Sequence, residues 1–271
     1  MNATIASLLS LSSELSPTDP PAVEIVNPDG RTPLLLVCDH ASKAVPRRLN
    51  NLGLRPEEVS QHIGWDPGAA EVTRRLAKRL DAPAVLSGYS RLVIDCNRSP
   101  GDPSSIAPQS DGVLIPGNQN VNDAEADWRL ETFFWPYHHT ITNTLAHLWR
   151  HGLAPAFVSI HSFTPQLNGG PPRPWHVGIL WNRDPRLALP VLEQLRSRPE
   201  LCVGDNVPYS GRETGYTLET HAGSAGLPHI EFEIRQDLLI DAEGWEHWTQ
   251  LIAEVLTTVL AAPGIHEVVY Y

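Results

Sequence analysis

Short apolar runs alternate along this chain with longer stretches whose apolar residues recur every three or four positions, and this constrains the fold more than any other feature. Leu34–Cys38, Ala84–Leu86, Arg91–Ile94, Ala156–Ile160, His176–Trp181 and His229–Ile234 read as strands. Between and after them fall helical patterns. Ala69–Leu80 places Ala69, Val72, Leu76 and Leu80 on one face, Asp123–Trp149 should break or restart near Pro136, and Arg186–Arg196 and Glu243–Leu260 follow. Strands that are apolar throughout belong in sheets covered on both sides. The expectation is a three-layer α/β/α fold with a mostly parallel mixed sheet. No repeat or linker interrupts the pattern, so residues 1–30 read as an N-terminal lead-in and 31–271 as a single domain.

Composition narrows the classes of function. A formal charge of −11 and the lack of any Lys/Arg block argue against a nucleic-acid surface. An anionic small molecule is still acceptable if a few arginines line its pocket. No apolar run approaches the ~20 residues of a membrane span. Ile5–Leu11 has no basic residues before it, which argues against a signal peptide. Of the three cysteines, Cys38 and Cys96 sit inside apolar runs, as buried free thiols would in a reducing cytoplasm. The 25 prolines fall mostly between periodic segments and punctuate loops.

Polar groups gather where the strands should end. Asp39-His40 follows Leu34–Cys38, Asn97-Arg98 follows Arg91–Ile94, His161-Ser162 follows Phe157–Ile160, and Glu231 and Glu233 share one face of the strand leading to Arg235. In an open α/β sheet that edge is where ligands bind. Two histidines and a carboxylate are the usual ligand set of a hydrolytic zinc site with one position left open. His40 and His161 supply the nitrogens. Asp66, in His62-Ile63-Gly64-Trp65-Asp66-Pro67-Gly68, supplies the carboxylate or else caps the helix after it. Glu233 is the candidate general base, with Glu231 as its rival on the same face. Arg91, Arg98 and Arg235, with Arg212 a further candidate, could clamp a substrate carboxylate through bidentate hydrogen bonds. Arg91 could instead pair internally with Asp95. The loop Asp205–Gly211 either brings Tyr209 to the substrate as a lid or is simply a turn. His221 could be a substrate contact or an auxiliary acid.

Six blocks of the sequence resemble the N-formylglutamate amidohydrolase family. They are Cys-Asp-His-Ala-Ser at 38–42, His-Ile-Gly-Trp-Asp-Pro-Gly-Ala at 62–69, Tyr-Ser-Arg-Leu-Val-Ile-Asp-Cys-Asn-Arg at 89–98, Ile-His-Ser-Phe-Thr-Pro at 160–165, Asp-Asn-Val-Pro-Tyr-Ser-Gly at 205–211 and Glu-Phe-Glu-Ile-Arg-Gln-Asp at 231–237. The resemblance implies a phosphorylase/hydrolase-like, zinc-exopeptidase-like fold and hydrolysis of the amide of an N-formyl or N-acyl amino acid. In the family's named case the products are formate and glutamate. The family is in turn similar to zinc carboxypeptidases and N-acyl amino acid deacylases, whose His-x-x-Glu, Asn-Arg, His and late-strand Glu match His40, Asn97-Arg98, His161 and Glu233 in order. One position departs: Lys43 stands where that pattern has Glu, so the third ligand must come from elsewhere, and Asp66 takes that place. The implied site is a divalent metal, zinc, on His40, Asp66 and His161. In this reading Glu233 and Arg98 are expected to be catalytic, and Asn97, Arg98, Arg91, Tyr209, His221 and Arg235 to bind substrate. Two alternatives stay open: an amidohydrolase for another N-acyl amino acid or peptide end, and a non-catalytic binding protein for acidic metabolites.

Overall fold

A computed structural model of the protein describes residues 15–150 and 152–271; the first fourteen residues of the expected lead-in, with Ile5–Leu11, lie outside the described residues. Seven strands form one mixed sheet: β1 (Val23–Val26), β2 (Leu34–Cys38), β3 (Ala84–Ser87), β6 (Ala156–Phe163), β7 (Val177–Leu180), β8 (Val203–Asp205) and β9 (His229–Arg235). Their spatial order is β1-β3-β2-β6-β9-β7-β8, with β4 (Gln109–Ser110) and β5 (Val113–Leu114) making a separate small hairpin. Pairs β3/β2, β2/β6, β6/β9 and β7/β8 are parallel, whereas β1/β3 and β9/β7 are antiparallel. The sheet is therefore mixed and mostly parallel, as the apolar strands imply. Residues 23–26, inside the expected lead-in, form the β1 edge.

Both faces are covered. Leu34, Leu36, Val158, Ile160, Phe232 and Ile234 pack against α2 (Ala69–Arg79), α5 (Pro185–Arg196) and α7 (Ala242–Leu260). Leu35, Val37, Val85 and Phe157 face Tyr137, Ile141, Leu145 and Leu148 of α4 (Trp135–Trp149). Two turns, α1 (Pro56–Val59) and α6 (Tyr216–His221), and α3 (Asp123–Arg129) complete the helices. The expected break in the 123–149 stretch is a π-helical segment, Leu130–Phe134; the backbone stays helical into α4, and Pro136, which cannot donate an N–H to the preceding turn, follows directly after the widened turn. Asp184 and Asp241 start α5 and α7 by accepting from backbone N–H groups that have no partner within the helix. No described helix is long and apolar enough to cross a membrane.

One expected strand is not a strand. Arg91–Ile94 is a turn segment at the rim of the sheet. Its apolar side chains are buried, but in a separate cluster with Leu52, Ile115, Phe133 and Phe134 rather than between strands. Side chains satisfy its carbonyls where a neighbouring strand would have done so. Asn118 Nδ2 donates to Leu92 O at 2.8 Å and the fully buried Arg129 donates to Val93 O at 2.9 Å. A four-residue apolar run specifies burial, not the identity of its backbone partner.

Candidate active site

Strand register brings the site together. In the parallel pair β6/β9, His161 lies opposite Glu233 and Ser159 opposite Glu231, so these side chains share one face. A slip of one residue would turn all of them into the apolar layer. His161 lies inside β6, which runs to Phe163, beyond the expected end at Ile160. Next to β6, β2 ends at Cys38 and delivers Asp39 and His40 to the same rim.

Asp66 arrives from the loop before α2. It does not cap that helix: the N-cap is Gly68, and no side-chain cap bond forms. Gly68 has φ +81°, and a Cβ there would lie 2.4 Å from Leu239 Cβ, so the turn that aims Asp66 inward depends on glycine. The Asp66 carboxylate accepts from His161 Nδ1 at 2.8 Å and from the Ser162 N–H at 3.2 Å, and lies 3.4 Å from His40 Nδ1.

Each histidine is braced from behind by another carboxylate. His40 Nε2 lies 2.7 Å from Asp95 Oδ1, and His161 Nε2 lies 2.9 Å from Asp39 Oδ2. Asp95 also accepts two bonds from Arg91, at 3.0 and 2.7 Å, so Arg91 is the internal brace while still lining the cavity. Asp39 is further held by Thr217 Oγ1 at 2.6 Å and Ser159 Oγ at 3.2 Å. Burial alone would raise the Asp39 carboxyl, but the His161 bond and charge outweigh it and pull it down to about 2. Burial would lower His161, but the neighbouring Glu231 charge and the carboxylates at both ring nitrogens push it well above the usual imidazole value.

His40, Asp66 and His161 offer three ligand atoms within 4.8 Å of one another, all buried. His40 Nδ1 has no hydrogen-bond partner although it is buried, an arrangement that is costly unless something else occupies the lone pair. With both Nε2 atoms turned to carboxylates, both Nδ1 atoms point to the Asp66 side. Carboxylate-backed imidazoles of this kind are how proteins orient metal-ligating histidines. The residues present therefore fit a divalent cation.

Glu233 and Glu231 stand beside this cluster. Both carboxyls are raised, Glu233 well above the usual range, first by burial and then by neighbouring negative charge that His161 only partly offsets. Glu233 Oε2 is buried without a hydrogen-bond partner. His161, Glu231 and Glu233 also come within ligand distance of one another.

The cluster forms one side of a cavity of about 420 Å³, within the range of roughly 300–1,000 Å³ common for small-molecule sites. Asn97, Arg98 and Tyr209 line it, joined by His62 and by Asp111 of the β4–β5 turn. Asn97 Oδ1 accepts the Thr217 N–H at 3.0 Å, which leaves its Nδ2 free to donate into the cavity. No described side chain pairs with the Arg98 guanidinium. Tyr209 is presented by the 205–211 loop, which lies flat on the sheet because β7 carries Gly178; a Cβ there would meet Val207 O at 2.3 Å.

Three expected contacts fall elsewhere. Arg235 turns out of the cavity, pairing with Asp237 and donating to the carbonyls of residues 173, 174 and 175. His221 stacks on His138 at the α4–α6 contact, its Nε2 2.8 Å from His138 Nδ1; burial lowers it to about 4. Arg212 is exposed near the Trp181 ring. Same-face parity on a strand or a motif's neighbourhood cannot show which way a long side chain turns at the sheet edge. The sequence places Asp39 beside His40 at the strand end without assigning it a role, and does not point to Thr217. Asp39 carried one signal, an acidic residue directly after a buried strand; Thr217 carried none.

A model of the N-formylglutamate amidohydrolase family matches residues 32–240. The chain belongs to that family. It is accordingly a hydrolase of amide bonds acting on a small molecule. Among solved structures, the gene product Atu2144 from Agrobacterium tumefaciens is 34% identical with a TM-score of 0.88, covering 91% of this chain and 98% of that one. The N-formylglutamate amidohydrolase from Ralstonia eutropha JMP134 has a TM-score of 0.63 at 18% identity, covering 89% of this chain and 98% of that one. That second likeness speaks for the fold. No match was found among the curated proteins.

Proposed function

We propose that this family member hydrolyses the amide of an N-formyl amino acid, with N-formyl-L-glutamate as its substrate, yielding formate and L-glutamate. One observation carries the reading: two buried histidines, each braced at Nε2 by a carboxylate, turn Nδ1 toward Asp66 next to an unpartnered Glu233. His40, Asp66 and His161 would hold a divalent cation, and a two-nitrogen, one-carboxylate set suits zinc. When bound, the cation supplies Lewis acidity that polarises the amide carbonyl and acidifies water.

The chain's own groups do the rest. Arg98 and the free Asn97 amide hold the substrate carboxylate and fix the amide's position over the cluster. Glu233, its basicity raised by burial, takes the proton of the attacking water. The C–N bond then breaks as Glu233 returns the proton to the leaving nitrogen, and the acyl carbon keeps the water oxygen as formic acid, which releases its proton to give formate. Asp39 and Asp95 hold the imidazoles in place. We also read residues 31–271 as one domain, to whose sheet residues 23–26 add an edge strand, and place it in a reducing compartment on the strength of buried, free Cys38 and Cys96.

The test is hydrolysis of N-formyl-, N-acetyl- and N-succinyl-L-glutamate by purified protein, with metal content measured alongside. The expected outcome is turnover of the formyl compound, loss of turnover when a chelator removes the metal, and recovery on adding zinc. Full activity after verified metal loss would overturn the cation half of the reading. No turnover of any acyl substrate would overturn the whole.

A further inference from the structure

A substrate that carries two carboxylates needs two cations not already neutralised by the protein, because Asp66, Asp95, Asp111, Glu231 and Glu233 make the cavity wall acidic. Arg91 does not qualify, since Asp95 holds it. Arg98 does, and it is the group already given to one carboxylate. Arg173 is a second guanidinium without a carboxylate partner among the described residues. It is half-buried behind the cavity wall, next to Tyr209. Its Nη1 donates to Tyr209 Oη at 3.0 Å and to Thr164 O at 3.3 Å. Its Cζ lies 5.0 Å from the Tyr209 ring centre and 5.9 Å from that of Phe163.

This arrangement sets the direction of the hydrogen bond. Tyr209 Oη accepts from Arg173, so its own O–H remains available to donate into the cavity that the ring lines. A phenol polarised from behind by a cation is a stronger donor to an anion. The segment that carries Arg173 is fixed rather than free: its N–H donates to Pro165 O at 2.8 Å, and Arg235 grips the carbonyls of 173–175 at 3.2–3.4 Å. Arg235, expected to touch substrate itself, thus holds the backbone that places another arginine.

We propose that Tyr209, positioned and polarised by Arg173, forms a second anion subsite that reads the distal carboxylate of a dicarboxylic N-acyl amino acid, while Arg98 takes the α-carboxylate. The inference rests on the hydrolase reading above and adds to it the side-chain selectivity. Tyr209 makes the contact; Arg173 is a positioning residue.

The experiment compares N-formyl-L-glutamate with N-formyl-L-glutamine, whose side chain has the same shape and no charge. In parallel, calorimetry on the metal-loaded protein compares binding of glutarate with that of its monoamide. The wild type is expected to favour the dianion at least tenfold in both assays. Arg173→Gln and Tyr209→Phe should each cut that preference to below threefold, through KM rather than kcat. Equal losses on the two substrates, a loss confined to kcat, or a wild type without preference would overturn the subsite. Tyr209→Phe removes a single hydroxyl and decides the matter if Arg173→Gln does not fold. Should the protein hydrolyse neither substrate yet bind glutarate tighter in an Arg173-dependent way, the subsite stands and the hydrolytic reading falls.

Discussion

Strand β9 presents Ile230, Phe232 and Ile234 to the layer of α2, α5 and α7, and His229, Glu231 and Glu233 to the opposite side, all of them at most 5% exposed. The two faces share one backbone and one degree of burial, yet differ in what burial does. On the apolar face it removes hydrocarbon from water and stabilises the fold at about 25 cal/mol per Å². On the polar face it desolvates ionisable groups, raises the Glu231 and Glu233 carboxyls and leaves Glu233 Oε2 without a partner. The first face accounts for stability; the second stores unfavourable free energy in groups that a ligand or a reacting proton can relieve. The same split runs through β6, where Val158 and Ile160 face the core and Ser159 and His161 face the site.

Substitutions on the two faces should break this comparison in different observables. The largest effect is expected from Glu233→Gln, which keeps the side-chain shape and removes the carboxylate proposed as the base. Turnover should fall by about 10²–10⁴-fold while the melting temperature is kept or rises, since a desolvated acid is lost. Steady-state kinetics with a thermal melt on one sample checks both. A variant retaining more than a tenth of wild-type kcat would transfer the base role to Glu231.

Phe232→Ala, one residue away on the other face, should do the reverse. Removing a fully buried phenyl from a packed layer costs about 3–5 kcal/mol. Urea unfolding would read that loss, and the kcat of the remaining folded protein should stay within about twofold of wild type. A large fall in kcat per folded molecule would show that the two faces are not separable.

Asp39→Asn sharpens the polar side. It leaves the size unchanged but takes away the charge that holds His161 Nε2 and accepts from Thr217. Loss of a carboxylate behind a ligating histidine typically weakens metal binding by about 10–100-fold. Competition with a chromophoric chelator measures it directly. An unchanged affinity would make Asp39 a purely structural partner of Thr217.

The residues of the site were largely legible because their chemistry is conspicuous. His40, His161 and Glu233 follow or occupy apolar runs whose edges ought to carry no charge, and Asn97-Arg98 stands together after another. Asp66 was legible as one of two things, ligand or cap, and the choice depended on whether Gly68 or Asp66 begins α2. Arg91–Ile94 departs from the strand its pattern predicts for a related reason: the run is buried, but Asn118 and Arg129, distant in sequence, take the hydrogen bonds that a strand would have made.

By itself, then, the sequence determined the layer architecture, since short apolar runs and amphipathic helices have only a few ways to bury each other. It also determined the chemical inventory of the site. Only the tertiary structure decided how that inventory is wired: which carboxylate backs which imidazole, that Arg235 grips backbone and Arg173 stands behind Tyr209, and that His221 pairs with His138 away from the cavity. The physical reason is the range of the interactions. Periodic burial is set by neighbours three or four residues apart, whereas these hydrogen bonds join residues 36 to 122 positions apart and depend on strand register and loop path that no local pattern encodes.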